Sequence, residues 1–320
     1  MTMLEVAGVS KAFGGLQAIR DLSFAVDEGE IVSVIGPNGA GKTTLFNLIS
    51  GVYGPDAGDI RFRGKSTVPL PRHAIVAAGI ARTFQNLRLF NGLSVLDNVL
   101  IPQHHALRGS WLSAVLPTAA YRRQELAMRE RALEKLRFFG PRLMGFRLHQ
   151  PVALLSYANR RRTEMARAMA TGASLLLLDE PSAGMNPHET REITDIIRRM
   201  RDEGRYTILL VEHKMTLVGE ISDRVVVLDH GERIAEGTYR EVVDDPAVIT
   251  AYLGRKGRSG DSSGAREGSD DLVPGAPSEG SGPADYSTGR RHDSGPVLGD
   301  SAERRHDSDP APDDRGEERV

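Results

Sequence analysis

Eight consecutive residues early in the chain have the types and spacing of a loop that binds phosphate: Gly36, Pro37, Asn38, Gly39, Ala40, Gly41, Lys42 and Thr43. Glycines let the backbone bend and approach an anion without a Cβ in the way. The N–H groups of the loop and the start of the following helix would then face the phosphates. We expect Lys42 to neutralise the β- and γ-phosphates. The Thr43 hydroxyl would bind Mg²⁺, which prefers hard oxygen ligands.

A second group of chemically competent residues is the pair of carboxylates Asp179 and Glu180, which follows the apolar run Leu175–Leu178. A buried strand that ends in acids places them at the carboxyl edge of the sheet, where ligands bind in open α/β folds. We therefore expect Asp179 to bind Mg²⁺ directly or as an outer ligand, and Glu180 to polarise an attacking water. The alternatives are a strand-ending turn with two solvated acids and, for the earlier loop, a glycine-rich turn with an accidental lysine.

The elements that must position these residues alternate between strands and helices. Short β-forming runs occur at Ile31–Ile35, Leu175–Leu178, Ile208–Val211 and Val225–Leu228. The phosphate-binding loop lies after the first run and before an apolar pattern with helical spacing, which is the context such a loop requires. Prolines divide the helix-rich residues 94–170 into several pieces. This alternation predicts an α/β fold in which helices cover a largely parallel sheet.

Composition narrows the possible classes of protein. The chain has 320 residues, a net charge of −2 and no cysteine. The lack of cysteine excludes a disulfide scaffold, a thiol nucleophile and a cysteine-ligated metal site. The near-neutral charge gives no electrostatic argument for nucleic-acid binding. No apolar run is long enough for a transmembrane helix, and the first residues do not have the pattern of a secretory signal.

The composition changes at about residue 255. Residues 255–320 contain 10 basic and 15 acidic side chains, with 11 Gly, 6 Pro and 10 Ser, so the tail carries a charge of −5 and residues 1–254 carry +3. Such a segment buries too little apolar surface to offset the entropy of ordering it. We predict a folded domain over 1–254 and a disordered tail over 255–320. The tail repeats RRHDS at Arg290–Ser294 and Arg304–Ser308, either as a docking or modification motif or as a chance remnant.

Further short motifs occur in order along the chain. They are Phe13 near the start, Thr83-Phe84-Gln85-Asn86, the segment Leu155, Ser156, Tyr157, Ala158 and Asn159, then Ser182-Ala183-Gly184-Met185-Asn186, and Val211-Glu212-His213. With the phosphate-binding loop and the carboxylates, this series resembles the ATP-binding-cassette (ABC) ATPases from Leu4 to about Gly254. The resemblance implies a P-loop NTPase cassette of α/β class with an antiparallel β subdomain, a mixed central sheet and a helical subdomain at about residues 90–170.

The same resemblance assigns roles to individual residues. ATP would be bound by Phe13, stacked on the adenine, and by the loop and helix start Gly36, Pro37, Asn38, Gly39, Ala40, Gly41, Lys42, Thr43 and Thr44. Glu180, Gln85 and His213 would be catalytic, with His213 at the γ-phosphate. Mg²⁺ would be held by Thr43, Gln85 and Asp179. Residues 155–159 would be the signature segment, which contacts the ATP of a second subunit.

The closest resemblance is to the ATPase subunits of branched-chain amino-acid uptake systems, through Lys11–Leu16, Ala81–Gln85, Ser182–Pro187, Val211–Met215 and the ending Gly237–Gly254. It implies that the chain acts at the cytoplasmic face of the cell membrane and powers ATP-driven import of a small solute. The implied partners are a second ABC ATPase subunit in a heterodimer, transmembrane permease subunits and an extracytoplasmic solute-binding protein, with no nucleic acid.

Three other functions stay open at this point. Urea and amide importers share much of the same pattern. A non-transport ABC ATPase that acts in DNA repair or on ribosomes usually carries two cassettes or an inserted coiled coil, and neither pattern occurs in this sequence. A regulatory module that binds nucleotide without hydrolysis is disfavoured by Glu180 and His213.

The signature segment departs from the family pattern at two positions. Ala158 stands where a glycine is usual, and Asn159 is shorter than the usual glutamine. Because a Cβ at 158 would crowd the partner's γ-phosphate or forbid a left-handed backbone, we hypothesise an asymmetric heterodimer in which the ATP site completed by this chain is weaker. The alternative is that alanine is tolerated there.

Overall fold

The computed structural model describes residues 1–106, 119–204 and 206–253. The predicted tail, with its RRHDS repeat, lies outside these residues, and so do residues 107–118 of the predicted helical subdomain. The boundary at residue 254 therefore stays a prediction. The last described helix ends at Leu253.

An antiparallel sheet is formed by β1 (Thr2–Phe13), β2 (Leu16–Asp27), β4 (Ala57–Phe62) and β5 (Lys65–Ser66). In the described residues its strand order is β2-β1-β4-β5. Strand β1 pairs with β2 through partners such as Val6 and Phe24, and with β4 through partners such as Leu4 and Phe62. These side chains are buried because alternate residues of a strand point to one face. The sheet confirms the expected antiparallel β subdomain.

The central sheet is mixed. It contains β3 (Ile31–Ile35), β6 (Ile80–Arg82), β7 (Leu175–Asp179), β8 (Thr207–Val211), β9 (Arg224–Asp229) and β10 (Glu232–Gly237). The order within the described chain is β10-β9-β3-β8-β7-β6, and only the pairing of β10 with β9 is antiparallel. Strands β3, β7 and β8 are buried at every residue, as continuous apolar runs in a covered parallel sheet should be. All four predicted strands are confirmed.

Helices of the described residues surround these sheets. They are α1 (Lys42–Ile49), α2 (Arg72–Ala78), α3 (Val95–Leu100), α4 (Ala119–Arg137), α5 (Tyr157–Met169), α6 (Pro187–Asp202), α7 (Met215–Ile221), α8 (Tyr239–Val243) and α9 (Pro246–Leu253). Short 3₁₀ helices lie at Ile101–Ala106, Gly140–Arg142, Gly145–His149 and Val152–Leu154.

The helix-rich segment packs around a core of its own side chains. Leu136 of α4, Val99 of α3 and Met165 of α5 are buried in one apolar cluster, which continues into the face of the central sheet that carries Leu176 and Leu178. This arrangement agrees with helices near residues 90–170 and explains how α5 is held against the sheet.

Strand order decides which loops meet. Strand β8 lies between β3 and β7, and all three run parallel. Val211 pairs with Val34 on one side and with Asp179 on the other. The segments that follow these strands therefore emerge side by side at the carboxyl edge, where open α/β sheets bind ligands.

Candidate functional site

The phosphate-binding loop connects β3 to α1 and needs glycine at two positions because other backbone segments come very close. A Cβ on Gly36, which has φ 147°, would lie 2.0 Å from the carbonyl oxygen of Leu228. A Cβ on Gly41, with φ 106°, would lie 2.7 Å from the carbonyl oxygen of Ala18. Gly41 is the N-cap of α1 and makes no side-chain capping bond, so the start of this helix presents backbone N–H groups.

Lys42 lies within the same loop. Its Nζ donates hydrogen bonds to the carbonyl oxygens of Gly36, at 2.6 Å, and Pro37, at 3.1 Å. The side chain is buried, whereas Thr43 on the next position of the helix is exposed. The ammonium group is thus held inside the bend that the glycines make, the position in which it can neutralise a bound phosphate.

The predicted catalytic residues Gln85 and His213 both contact the third, Glu180. Its Oε2 accepts a hydrogen bond from Nε2 of Gln85 at 3.0 Å, and its Oε1 lies 3.0 Å from Nε2 of His213. The Glu180 N–H donates to the carbonyl oxygen of Val211 at 2.8 Å. Glu180 has φ 46°, a left-handed conformation that is uncommon for a residue with a Cβ. The backbone therefore turns sharply after β7 and directs the carboxylate between the other two side chains.

Asp179 is buried beside this group. Its Oδ2 accepts a hydrogen bond from Arg82 at 2.9 Å, and its N–H donates to the Thr83 hydroxyl at 3.2 Å. Burial raises the pKa of the Asp179 carboxyl, and the ion pair with Arg82 opposes this shift. The structure thus places Asp179 at the predicted edge of the sheet and adds a cation that the sequence analysis did not assign.

Arg82 is fixed by five side chains. Besides Asp179, its guanidinium donates to the side-chain oxygen of Asn47 at 2.7 Å and to the Ser50 hydroxyl at 3.1 Å. Its Cζ lies 5.4 Å from the ring centre of Phe46 and 5.2 Å from that of Phe84. These contacts join α1, which follows the phosphate-binding loop, to the carboxylate strand.

The oxygen-rich donor set fits Mg²⁺ better than a softer metal. The predicted ligands are the Asp179 carboxylate, the Thr43 hydroxyl and the Gln85 amide, and all of them offer oxygen. Within the residues that the structure describes, no three His, Cys, Asp or Glu side chains cluster as a protein metal cage would require. A site with few protein ligands suits Mg²⁺, which is usually shared with substrate phosphates.

The signature segment forms the start of α5. Ser156 is the N-cap, and its hydroxyl accepts a hydrogen bond from the Asn159 N–H at 3.4 Å. The Tyr157 hydroxyl accepts from Arg161 at 2.9 Å, and Leu155 is buried. The Asn159 side-chain oxygen accepts from Arg162 at 2.9 Å, so this short amide is turned towards its own helix.

The structure contradicts the physical argument by which Ala158 would weaken the partner's ATP site. Ala158 is the second residue of a right-handed helix, so no left-handed backbone is needed there. Its side chain is only 2% exposed and belongs to the core cluster that also contains Leu155 and Met165. The methyl group faces the interior of this chain, and crowding of a partner's γ-phosphate does not follow from it.

Two charged residues that the sequence analysis did not single out connect α5 to Thr83–Asn86, the glutamine loop. Arg161 is fully buried and donates to the carbonyl oxygens of Phe84 and Gln85. It also pairs with Glu164 at 3.0 Å. A usable signal was present, because three consecutive arginines at 160–162 span about 200° of a helix and cannot all face solvent.

Phe13 lies at the end of β1 and is 42% exposed. Its ring meets that of Tyr53 edge to face, with centroids 5.2 Å apart, and the Lys11 ammonium lies 5.6 Å from the ring centre. An exposed aromatic ring supported by a second ring is a suitable surface for stacking a planar base.

Comparison with protein families decides the assignment. The family model described as "ABC transporter" matches residues 19–183, which include the phosphate-binding loop, the glutamine loop, the signature segment and the carboxylates. The chain belongs to the ABC transporter family. A second model, described as "Branched-chain amino acid ATP-binding cassette transporter", matches residues 232–257 at the end of the cassette.

The matches to two curated relatives extend over nearly the full length of those proteins. The high-affinity branched-chain amino acid transport ATP-binding protein BraF of Pseudomonas aeruginosa is 43% identical over 252 residues, which is 79% of this chain and 98% of that protein. The corresponding LivG protein of Escherichia coli K12 is 41% identical with the same coverage.

Solved ABC structures share the fold. MJ1267, an ATP-binding cassette of an ABC transporter in its ADP conformation, is 29% identical with a TM-score of 0.68, and the match covers 79% of this chain and 99% of that one. The dimeric bacterial ABC transporter cassette MJ0796 is 25% identical with a TM-score of 0.63, over 74% and 99% of the two chains. Among the described residues of this ABC protein, no helix is long and apolar enough to cross a membrane.

Proposed function

We propose that this ABC-family chain is the ATP-binding and ATP-hydrolysing subunit that powers uptake of branched-chain amino acids through partner membrane subunits. The observation that carries the proposal is the position of the Glu180 carboxylate, which is held at 3.0 Å from both Gln85 and His213 at the sheet edge from which the phosphate-binding loop also emerges. A carboxylate fixed at the carboxyl edge of the sheet, next to a phosphate cradle, is arranged for hydrolysis of a nucleoside triphosphate.

Catalysis in this site rests on positioning and charge stabilisation. The backbone of Gly36–Gly41 and the Lys42 ammonium bind the phosphates, and His213 contacts the γ-phosphate. Glu180 orients the attacking water, and its two oxygens are already oriented by Gln85 and His213. Phe13, supported by Tyr53, stacks on the adenine. Thr43, Gln85 and Asp179 would hold Mg²⁺, which would neutralise phosphate charge when bound.

The partners follow from the same proposal. Transmembrane permease subunits would carry the solute, since this chain would supply the energy from the cytoplasmic face of the membrane. A second ABC ATPase subunit would pair with it, as a heterodimer, and contact its ATP through the signature segment Leu155–Asn159. An extracytoplasmic solute-binding protein would deliver the solute, and we propose no role for nucleic acid.

The choice of solute rests on the relatives. BraF and LivG are named as subunits of high-affinity branched-chain amino acid transport, and they match this chain over 98% of their own length. The second family model, which matches residues 232–257, carries the same description. We therefore propose leucine, isoleucine and valine as the transported class.

Uptake of labelled leucine and urea by cells that express this chain with its membrane subunits tests the proposal. Glu180→Gln should abolish leucine uptake while the purified chain still binds ATP, because only the water-orienting charge is lost. Glu220→Gln, on an exposed helix position, is the matched control and should transport normally. Unchanged leucine uptake by Glu180→Gln would contradict the enzymatic assignment, and uptake of urea alone would contradict the assigned solute.

We also propose that residues 1–254 form the complete cassette and that residues 255–320 are a disordered tail. A chain that ends at Gly254 should retain the ATPase rate of the full chain. Limited proteolysis of the full chain should remove the tail first, since exposed unstructured segments are cut most readily.

A further inference from the structure

Glu212 is a buried carboxylate whose oxygens are both occupied by backbone N–H groups. Its Oε1 accepts from Ser182 at 2.9 Å, and its Oε2 accepts from His213 at 2.9 Å and from Lys214 at 3.2 Å. The residue is 2% exposed. Buried carboxylates are retained where hydrogen bonds replace their lost hydration. These donors belong to two different loops, one after β7 and one after β8, so Glu212 ties the two together.

Lys214, which carries the opposite charge to Glu212, binds the loop after β7 through its ammonium group. Its Nζ donates to the carbonyl oxygens of Ser182, at 3.2 Å, and Met185, at 3.0 Å. A third bond of 2.7 Å goes to the hydroxyl of Thr190, at the start of α6. Glu212 therefore holds the N–H of Ser182 while Lys214 holds its carbonyl oxygen. The two side chains flank His213 in the sequence.

The loop held in this way begins at the catalytic carboxylate. Glu180 has a left-handed backbone, which persists in a residue with a Cβ only where the surrounding structure over-determines it. On one side its N–H is bonded to Val211. On the other side, two residues further on, Ser182 is bonded by Glu212 and Lys214. Both supports of the Glu180 turn thus come from the segment that carries His213.

We propose that Glu212 and Lys214 act as a clamp, a pair of positioning residues that holds Glu180, His213 and the Ser182–Asn186 loop as one unit. The inference rests on the proposed ATPase function and names residues beyond its catalytic set. Glu212 does not act as a base itself, because its carboxylate is buried and is bonded by three backbone N–H groups. The clamp sets the separation between the water-orienting carboxylate and the histidine at the γ-phosphate.

Glu212→Gln and Lys214→Met in the full chain test the clamp with three readouts. Amide hydrogen exchange over residues 180–186 should speed up by about tenfold or more. Glu212→Gln replaces one of the two acceptor oxygens by an N–H donor, and Lys214→Met removes the bond to the Ser182 carbonyl oxygen. The kcat for ATP hydrolysis should fall by about 10- to 100-fold, since small displacements of catalytic groups have effects of this size. The Kd for ATP should stay within about twofold, because the phosphate-binding loop is untouched. Lys214→Arg keeps donors at this position and should recover part of kcat.

Matched controls are Glu220→Gln and Lys65→Met, which change an exposed acid and an exposed lysine. A kcat within about twofold of the wild type in both clamp variants would overturn the inference. So would an exchange increase spread over the whole chain, which would indicate general destabilisation. Absence of ATP hydrolysis by the assembled wild-type complex would instead refute the proposed function, so the two failures are distinguishable.

Discussion

The Arg161 guanidinium donates a 2.8 Å hydrogen bond to the backbone carbonyl oxygen of Gln85, across 76 positions of sequence. Arg161 belongs to α5, which begins with the signature segment, whereas Gln85 touches the catalytic carboxylate. A movement of either segment therefore changes the surroundings of the other. The bond is partly buried, and its donor Arg161 is fully buried, so breaking it would leave a buried guanidinium short of a partner.

Arg161→Met should destabilise the fold strongly. The substitution leaves the buried Glu164 carboxylate without its ion-pair partner, and breaking a buried pair in this way costs about 3–5 kcal/mol. Urea unfolding measures the loss. Arg129→Met, at an exposed position of α4, should change stability by less than about 0.5 kcal/mol. The double variant with Glu164→Gln should regain part of the loss, and no recovery would contradict the ion-pair explanation.

Glu164 should also give the protein a recognisable pH dependence. Burial raises the pKa of the Glu164 carboxyl in the folded protein above its ordinary value of 4.5. At pH values between 4.5 and this raised pKa, the folded state therefore binds the proton more readily than the unfolded state. The contribution of Glu164 to stability is therefore fully present below pH 4.5 and is lost as the pH rises through the folded pKa. Relative to Glu164→Gln, the wild type should become less stable as the pH rises through this window.

The matched control for this pH effect is Glu203. A hydrogen bond from Arg199 lowers the pKa of Glu203, so its contribution is lost as the pH falls, which is the opposite sign. Urea unfolding of Glu164→Gln and Glu203→Gln, each against the wild type from pH 7 to about pH 4, compares the two signs. Differences that run in the same direction for both pairs would contradict this account.

Gly36→Ala should impair both folding and nucleotide binding. The added Cβ would lie 2.0 Å from the Leu228 carbonyl oxygen, so β9 or the phosphate-binding loop must shift. Overpacking of this kind costs about 1–3 kcal/mol, and the Kd for ATP should rise by about tenfold or more. Gly54→Ala, where a Cβ meets no atom within 4 Å, should bind ATP normally. Equal affinities of the two variants would show that the close approach does not matter.

Ala158→Gly should lower stability without raising activity. The change removes a buried methyl group and weakens the first turn of α5, for a loss of about 0.5–1 kcal/mol in urea unfolding. Since the methyl group faces the interior of this chain, the ATPase rate of the assembled complex should not change by more than about twofold. Ala127→Gly, at an exposed position of α4, controls for the effect of glycine in a helix. A severalfold increase in rate would revive the idea of a weakened partner site.

Much of the site could be predicted because its residues sit at the ends of strongly patterned elements. The four apolar runs that form β3, β7, β8 and β9 are recognisable from the local sequence pattern alone. Once they are parallel neighbours, the loops that carry Gly36, Glu180 and His213 must share one edge. The family resemblance assigned catalytic roles to Glu180, Gln85 and His213, and the structure brings the three side chains together. Their roles stay predictions.

The residues that escaped prediction are charged groups buried by tertiary contacts. From the sequence alone, we would place Arg82, Arg161 and Glu212 on the surface, because charged side chains are rarely buried unless they are paired. Each has a decisive partner far away in the chain: the Asp179 carboxylate for Arg82, the Gln85 carbonyl oxygen for Arg161 and the Ser182 N–H for Glu212. No local pattern shows those contacts. The error about Ala158 has a similar cause, since its burial depends on how α5 lies on the core.

The left-handed backbone of Glu180 has a consequence for comparing copies of this gene. Glycine or asparagine would occupy that conformation at lower cost than glutamate, so on the basis of folding alone either would be preferred at position 180. A lineage that no longer needs ATP hydrolysis should therefore drift towards these residues while its fold remains intact. The residue found at position 180 would then distinguish an active ATPase from an inactive homologue that still folds.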